Sequence, residues 1–293
     1  MERKALAFDI GGTKIYNAII NERGEIISEI EKNPTPKTFD EIKTLFENII
    51  NKYEKDVDVI AFSTCGAVNN ENSKILGSTG NIAQGYPQMP FKELSKKPVF
   101  VENDANCAAW AEHVIGASKG YKNSVMLTLG TGVGGGIIIN DTLLKGQNGA
   151  AGEMHFKMFC DKRRKCTCGS WDCFEIYASG KGLKLTAEEI SHNPDITTYD
   201  VIGGVKSGNT LMLEIFNKWQ DYIIAGVVGL GNIFDPDCVV FSGSLSEFID
   251  TERIEKDANA EIITTPLKVF RAKAGNYSGM IGAALLAFEK EVV

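Results

Sequence analysis

Two glycine-rich segments, each preceded by an apolar run, are the first candidates for chemistry in this sequence. The first, Asp9–Lys14, reads Asp-Ile-Gly-Gly-Thr-Lys and follows an apolar run that begins at Ala5. Because glycine has no Cβ, backbone N–H groups there can approach phosphate oxygens, and an acid beside them can hold a hydrated magnesium ion. An ordinary hairpin turn has a similar composition, so this segment alone leaves both interpretations open.

The second segment, Gly130–Gly136, contains the G-x-G-x-x-G pattern of dinucleotide-binding folds. That pattern requires a helix after the glycines, whereas the three isoleucines of 137–139 favour a strand. We therefore reject a dinucleotide-binding fold and predict a hairpin that holds phosphate. The sequence has no G-x-x-x-x-G-K-[ST] pattern, which excludes a P-loop.

Acidic side chains are the candidates for proton transfer. Glu102–Asn106 reads Glu-Asn-Asp-Ala-Asn and lies where a predicted strand, Pro98–Val101, meets a predicted helix, Asp104–Val114. Asp104 is either a helix cap or a carboxylate at the carboxyl end of a strand that accepts a proton from a hydroxyl. The residues alone do not decide between these roles. The same ambiguity applies to Glu153, His155 and Glu175.

A cluster of cysteines is the candidate metal site. The sequence has seven cysteines, and Cys166, Cys168 and Cys173 fall within eight residues. Together with His155 upstream they can supply the four ligands of a closed tetrahedral zinc site. Reduced cysteines that bind no metal are the alternative, and Cys160 is a further candidate ligand. A redox role is weaker, because nothing in the sequence places a base beside a thiol.

Composition limits the class of protein. The chain has 293 residues, 43% of them hydrophobic and 24% charged, and its formal net charge is -7. This profile is typical of a soluble globular protein, and the acidic balance argues against nucleic acid as the main partner. No segment approaches the roughly 18 apolar residues of a membrane span, and the first residues lack an apolar signal core. We therefore expect a cytoplasmic protein with reduced cysteines.

The spacing of apolar residues predicts the elements that position these groups. We predict strands around both glycine turns, a third strand at Glu25–Ile30, an amphipathic helix at Phe39–Tyr53 and a buried strand at Val57–Phe62. Later in the chain we predict a long helix at Leu211–Phe234, a strand at Cys238–Phe241 and a final helix at Ser278–Glu289. Two strand–glycine–strand hairpins among alternating strands and helices indicate an α/β protein of two related, intertwined lobes.

In combination these motifs resemble the ROK family of sugar kinases and sugar-responsive repressors, over nearly the whole chain from Asp9 to Ala287. The resemblance implies the α/β, two-lobed actin/hexokinase-like fold, which is ribonuclease H-like, with lobes that close over ATP and sugar. The N-terminal lobe is then residues 1–115, completed by the C-terminal helix 278–293. The C-terminal lobe is residues 116–277 and carries the cysteine motif.

The resemblance also implies roles for individual residues. It assigns the first phosphate loop and the neighbourhood of magnesium to Asp9, Gly11, Gly12, Thr13 and Lys14. It assigns the second phosphate loop to Thr131, Gly132 and Gly134, and the nucleoside contact to Gly243. It makes Asp104 the catalytic base and implies sugar contacts for Gly66, Thr79, Asn103, Asp104, Glu153, His155 and Glu175. It implies a structural zinc ion on His155, Cys166, Cys168 and Cys173.

Two departures from the family pattern concern the zinc motif. The family usually reads Gly-Glu-x-Gly-His, whereas this chain reads Gly-Glu-Met-His over 152–155 and lacks one residue between acid and histidine. The missing residue leaves two outcomes open: His155 keeps its sugar and zinc roles, or it is displaced from either of them. Asp172 replaces the glycine that usually precedes the last cysteine, at a position where a left-handed backbone is costly for residues with a Cβ.

Within the family, Ser63–Asn69 and Ser78–Thr79 resemble N-acetylmannosamine kinases more than glucokinases. The implied reaction is the ATP-dependent phosphorylation of N-acetylmannosamine at its 6-hydroxyl, with Mg²⁺, in a homodimer. A glucokinase or fructokinase of the same family is the nearest alternative. A non-catalytic sugar-sensing protein is a further alternative, although the first turn begins at Gly11 and we expect no N-terminal helix-turn-helix before it.

Overall fold

The structure is a computed structural model that describes residues 2–77, 82–158, 160 and 163–290. Thr79, one of the predicted sugar contacts, lies outside the described residues. The strands are β1 Lys4–Ile10, β2 Lys14–Asn21, β3 Glu31–Pro34, β4 Val59–Thr64, β5 Ala67–Val68, β6 Ile75–Gly77, β7 Val99–Asn103, β8 Ser124–Leu129, β9 Val133–Ile139, β10 Thr142–Leu143, β11 Cys238–Ser242 and β12 Lys268–Arg271. The helices are α1 Phe39–Tyr53, α2 Asp104–Val114, α3 Phe174–Ala178, α4 Gly180–Ser191, α5 Thr198–Lys206, α6 Thr210–Phe234, α7 Thr251–Asn259 and α8 Ser278–Lys290.

The chain divides into two compact units. The first comprises residues 1–120, 136–152 and 273–293, and the second comprises residues 121–135 and 153–272. None of the helices in the described part of the chain is long and apolar enough to cross a membrane.

A five-stranded sheet in the order β3-β2-β1-β4-β7 forms the centre of the first unit. Its strands β1, β4 and β7 are parallel, and their register pairs Asp9 with Ser63 and Ser63 with Glu102. Because parallel strands end at the same edge of a sheet, these polar residues and the residues that follow them lie side by side.

The two faces of this sheet have different side chains. Successive residues of β1 point to opposite faces, so that Ala5 and Ala7 pack with α2 and α8. Leu6 and Phe8 pack on the other face with the apolar side of α1. The alanines allow the α2–α8 pair to lie close to the sheet, and the larger residues fill the space under α1. This packing buries the strands that carry Asp9 and Glu102.

The second sheet has the order β10-β9-β8-β11-β12, and β8, β11 and β12 are parallel. In the second unit the long helix α6 packs against α3, α4, α5 and α7. The helix α6 ends at Phe234, and Asp235 follows with a left-handed backbone whose N–H donates to Gly231 O.

Most predicted elements are confirmed, but the third strand is not where the sequence suggested. The segment 25–30 is irregular, and β3 begins only at Glu31 and pairs with β2. The side chain of Asn21 explains the shift, because its Oδ1 accepts hydrogen bonds from the N–H groups of Arg23 and Glu25. Gly24 has a left-handed backbone in the same turn. A longer turn therefore replaces the first part of the predicted strand.

The compact units divide the chain differently from the predicted lobes: residues 136–152, together with 116–120 and 273–277, group with the first unit. The boundary falls inside β9, directly after the glycine turn. A Cβ at Gly136 would lie 2.5 Å from the Cβ of Ala109 in α2, and Ile138 belongs to the apolar cluster around α2 and α8. The second half of the hairpin strand is thus part of the core of the first unit.

We predict that Gly282→Ala strongly destabilises the first unit. A Cβ at Gly282 in α8 would lie 1.7 Å from the carbonyl oxygen of Cys107 in α2, so the helices must move apart. Overpacking of this kind costs about 1–3 kcal/mol. Thermal unfolding of the full chain measures it.

The matched control is Gly229→Ala in α6, where a Cβ would meet no atom within 4 Å. This variant should be neutral or stabilised by up to about 1 kcal/mol, because alanine favours helix. Equal melting temperatures for both variants would contradict the close packing of α2 on α8.

Candidate active site

Asp9 occupies the carboxyl end of β1 in a nearly closed environment. The Ser63 hydroxyl donates a hydrogen bond to its Oδ1 at 3.3 Å. A Cβ at Gly279 of α8 would lie 2.8 Å from Ser63 Oγ and 3.1 Å from Asp9 Oδ1, so glycine is needed where the helix passes. Burial raises the pKa of Asp9, and the hydrogen bond from Ser63 partly opposes this shift. A cation bound nearby would stabilise the charged form, which fits the predicted role beside magnesium.

The first glycine turn is exposed, and hydrogen bonds within the turn and from Thr35 hold its backbone in place. The Gly11 N–H donates to Lys14 O at 3.0 Å, and a Cβ at Gly11 would come within 3.2 Å of that oxygen. Thr35, which the sequence analysis did not single out, closes the turn: its hydroxyl donates to Gly11 O at 2.6 Å and its N–H donates to Thr13 O at 3.1 Å. The predicted phosphate loop, residues 11–14, is therefore an ordered hairpin turn with an accessible surface.

The start of α2 bears on both roles considered for Asp104, whose Oδ1 accepts the N–H of Ala105 at 2.8 Å. The helix cap is Asn103, whose Oδ1 accepts hydrogen bonds from the N–H groups of Ala105 and Asn106 at 2.9 and 3.1 Å. Its Nδ2 donates to Gly66 O at 3.1 Å. Asp104 is the first helical residue and its side chain is exposed. A carboxylate at the mouth of a helix, beside a fixed amide, is well placed to accept a proton from a bound hydroxyl.

Glu102 is a functional candidate that sequence analysis did not identify. It is fully buried, and its Oε1 accepts hydrogen bonds from the N–H of Asn103 at 2.8 Å and from Asn106 Nδ2 at 3.1 Å. Its Oε2 accepts from Asn72 Nδ2 at 2.7 Å and from Lys145 Nζ at 2.6 Å. The carboxylate thus holds the first turn of α2 while an ammonium group compensates its charge. In the sequence, only its position next to Asn103 indicated that Glu102 belongs to the site.

The second glycine turn lies in the second unit and already contacts an anionic oxygen. The N–H of Val133 donates to Glu175 Oε2 at 3.2 Å, and the N–H of Gly134 donates to Thr128 Oγ1 at 3.0 Å. A Cβ at Gly132 would lie 2.6 Å from Glu175 Oε2. A side chain at this position would displace the end of Glu175, and the turn presents the N–H of Val133 to a negatively charged acceptor, as a phosphate-binding hairpin does.

A cavity of about 590 Å³ lies beside this turn, within the range of small-molecule sites. Gly243 directly precedes Ser244 of its lining: the backbone there is left-handed, and a Cβ would lie 2.4 Å from Leu129 O. The lining combines the second turn, the first turn of α4, the first residues of α5 and the loop after β11. The lining residues are Gly130, Thr131, Gly180, Lys181, Lys184, Thr197, Thr198, Tyr199, Ile202, Ser244, Leu245 and Phe248. Apolar walls with two lysines suit a flat, anionic ligand such as a nucleotide.

Three of the four predicted metal ligands come together. The sulfur atoms of Cys166, Cys168 and Cys173 lie within 4.8 Å of one another. The imidazole of His155 is not part of this group. Met154 occupies the position after Glu153 with φ 53°, a backbone region that favours glycine. The shortened motif therefore does not bring His155 to the thiols, which corrects the four-ligand prediction.

The remaining predicted sugar contacts lie in different places. Glu153 and His155 are exposed. Glu175 contacts the cysteine segment as well as the second turn, because its Oε1 accepts a hydrogen bond from Thr167 Oγ1 at 3.2 Å. Gly66 and Asn103 are in direct contact in the first unit.

A family model described as the ROK family matches residues 5–290. The chain belongs to the ROK family. A glucokinase of Streptomyces coelicolor is 32% identical over 98% of each chain. An N-acetyl-D-glucosamine kinase of Haemophilus influenzae is 30% identical over 96% of this chain and 98% of the relative. An N-acetylmannosamine kinase of Yersinia pestis is 29% identical over 97% and 98%.

The fold of this ROK protein is also found among solved structures. A ROK glucokinase from Streptomyces griseus, in complex with glucose and AMPPNP, superposes with a TM-score of 0.79 at 28% identity, covering 99% of this chain and all of that one. The expected actin/hexokinase-like α/β fold is thereby confirmed.

We predict that Glu102 and Lys145 act as one unit that fixes the start of α2. Glu102→Gln and Lys145→Met should each lower the free energy of unfolding by about 3–5 kcal/mol, because either change leaves a buried charge without its partner. The double variant should lose clearly less than the sum of the two. Denaturant unfolding of the four proteins gives the coupling energy.

Lys119→Met, which removes an exposed lysine of the same unit, is the matched control and should change stability by less than about 0.5 kcal/mol. Additive losses in the double variant would show that the two side chains act independently.

Proposed function

We propose that this protein transfers the γ-phosphoryl group of MgATP to the 6-hydroxyl of N-acetylmannosamine. The observation that carries the proposal is the placement of Asp104 in the first unit. It is an exposed carboxylate at the first residue of α2, with Asn103 locked beside it and Asp9 at the end of a strand of the same sheet. Phosphoryl transfer needs positioning and charge neutralisation more than covalent chemistry, and these residues offer both.

Each residue then has a defined task. Asp104 accepts the proton of the sugar hydroxyl as the bond to phosphorus forms. The half-buried carboxylate of Asp9 would hold the magnesium ion of MgATP, which would supply charge neutralisation on the phosphates. The turns 11–14 and 130–136 donate N–H groups to phosphate oxygens. The cavity beside Thr131 and Ser244 accepts the nucleoside, and Gly243 directly precedes Ser244.

The choice of sugar rests on the polar end of β4 and the residues after it. Gly66 has a left-handed backbone, and its carbonyl oxygen accepts a hydrogen bond from the amide of Asn103. A residue without a side chain beside a sugar-contacting amide leaves room for an acetamido group. The relation to the Yersinia enzyme supports the same choice.

Glucokinase activity is the second candidate, because the Streptomyces coelicolor relative is slightly more similar to this chain. Chemistry, ATP and the catalytic base are the same in both candidates, and only the sugar differs. The predicted cytoplasmic location and homodimer belong to the proposal in either case.

We predict that Asp104→Asn lowers kcat by about 10²–10⁴-fold, the usual contribution of general base catalysis, while the KM for the sugar changes little. A coupled assay of ADP release measures both constants. The matched control is Asp40→Asn, which changes another exposed acid in the first turn of a helix of the same unit. Near-normal turnover of Asp104→Asn would eliminate the assignment of the base.

The substrate is tested with a panel of N-acetylmannosamine, N-acetylglucosamine, glucose and fructose in the same assay. We expect the highest kcat/KM with N-acetylmannosamine and a phosphate on its 6-oxygen, identified by NMR of the product. Equal or higher kcat/KM with glucose would establish the glucokinase alternative instead.

A further inference from the structure

The segment 163–173, here termed the cysteine loop, carries the three thiols but not four metal ligands. A closed structural zinc site needs four protein ligands in tetrahedral positions. Among the described residues, the group of side chains able to hold a metal contains only Cys166, Cys168 and Cys173. We infer that the cysteine loop of this protein takes its fold from its own side-chain contacts and does not require a metal ion.

Arg164 is the strongest of these contacts. Its guanidinium is buried, yet it forms a two-point ion pair with Glu189 of α4, at 3.0 Å to Oε1 and 2.9 Å to Oε2. The same group lies over the rings of Tyr177 and Tyr222, 4.8 and 5.2 Å from their centres, and the two rings also contact each other with centres 5.1 Å apart. Its Nη2 also donates to Thr186 Oγ1 at 3.0 Å. Planar, paired contacts of this type hold an arginine side chain in a single orientation.

Asp172 fixes the other end of the loop. It has φ 59°, a conformation in which aspartate is better tolerated than most residues. Its carboxylate accepts hydrogen bonds from Arg163 Nε at 2.8 Å, from the N–H of Arg164 at 3.0 Å and from the hydroxyl of Tyr177 at 3.0 Å. The departure from the family glycine therefore adds a polar anchor that a glycine cannot supply.

Backbone and aromatic contacts complete the loop. The N–H of Asp172 donates to Arg164 O at 2.9 Å, which closes the segment at its base. The rings of Phe156 and Phe174 stack 4.8 Å apart, and the N–H of Phe174 donates to Phe156 O at 2.8 Å. Lys157 Nζ donates to the hydroxyl of Ser170. The three thiols are thus brought together by a segment that is already held at both ends.

The same contacts connect the loop to the second glycine turn. Glu175 accepts a hydrogen bond from Cys166 Sγ at 3.6 Å and from Thr167, and its other oxygen accepts the N–H of Val133. A thiophilic cation held by these three sulfur atoms would lack a fourth protein ligand among the described residues. Such an ion would bind to a loop that is already folded and would not be needed for it to fold.

The experiment compares unfolding of the full-length protein with and without metal. We expect that incubation with excess chelator, followed by removal of the chelator, shifts Tm by less than about 2 °C. The variant with serine at 166, 168 and 173 should keep its far-ultraviolet spectrum and a Tm within about 4 °C of the parent. Arg164→Met should lower Tm by more than about 5 °C, because it leaves Glu189 unpaired and removes the cation–π contacts with Tyr177 and Tyr222.

Lys165→Met, which removes an exposed charge from the same loop, is the control for Arg164→Met and should leave Tm nearly unchanged. One equivalent of bound zinc whose removal lowers Tm by more than about 5 °C would overturn the inference. So would an unfolded triple serine variant together with a chelator-sensitive parent. These readouts do not use catalysis, so they stand apart from the test of the proposed sugar kinase.

Discussion

The parallel register of β1, β4 and β7 is the constraint on which the first unit depends. Backbone hydrogen bonds fix Asp9 beside Ser63 and Ser63 beside Glu102, and the buried faces of the strands prevent a slip of one residue. A slip would exchange the small residues under α2 and α8 with the large residues under α1. The same bonds that stabilise the sheet therefore position the acids at its edge.

Two carboxylates lie at this edge and have different surroundings: Glu102 is fully buried, and Asp9 is half-buried. Glu102 is fully compensated by Asn72, Asn106 and Lys145 and serves the helix that carries Asp104. Burial raises the pKa of Asp9, and the hydrogen bond from Ser63 only partly offsets this effect. The compensated carboxylate is suited to holding structure, whereas Asp9 is suited to a site that gains a cation with its substrate.

The sequence was sufficient to predict a helix or strand where the local pattern and the tertiary packing favour the same element. The helix α2 begins at Asp104 as predicted, because Asn103 caps it and the following residues favour helix. The amphipathic spacing of α1 also predicted its bounds. Prediction failed at 25–30, where the side chain of Asn21 holds a longer turn. Nor did the sequence indicate that 136–152 group with the first unit, because no local pattern shows that a strand crosses from one unit into the other.

The sequence by itself determined the chemical groups of this ROK protein: two glycine turns, an acid after each of two buried strands, and three closely spaced thiols. Such groups are recognisable because their spacing follows from backbone geometry over a few residues. Only the tertiary structure decided which groups meet. It paired Glu102 with Lys145, 43 residues away in sequence, placed Glu175 against the second turn, and left His155 apart from the thiols. These outcomes depend on packing between distant segments, where burial and charge compensation select partners that spacing along the chain does not reveal.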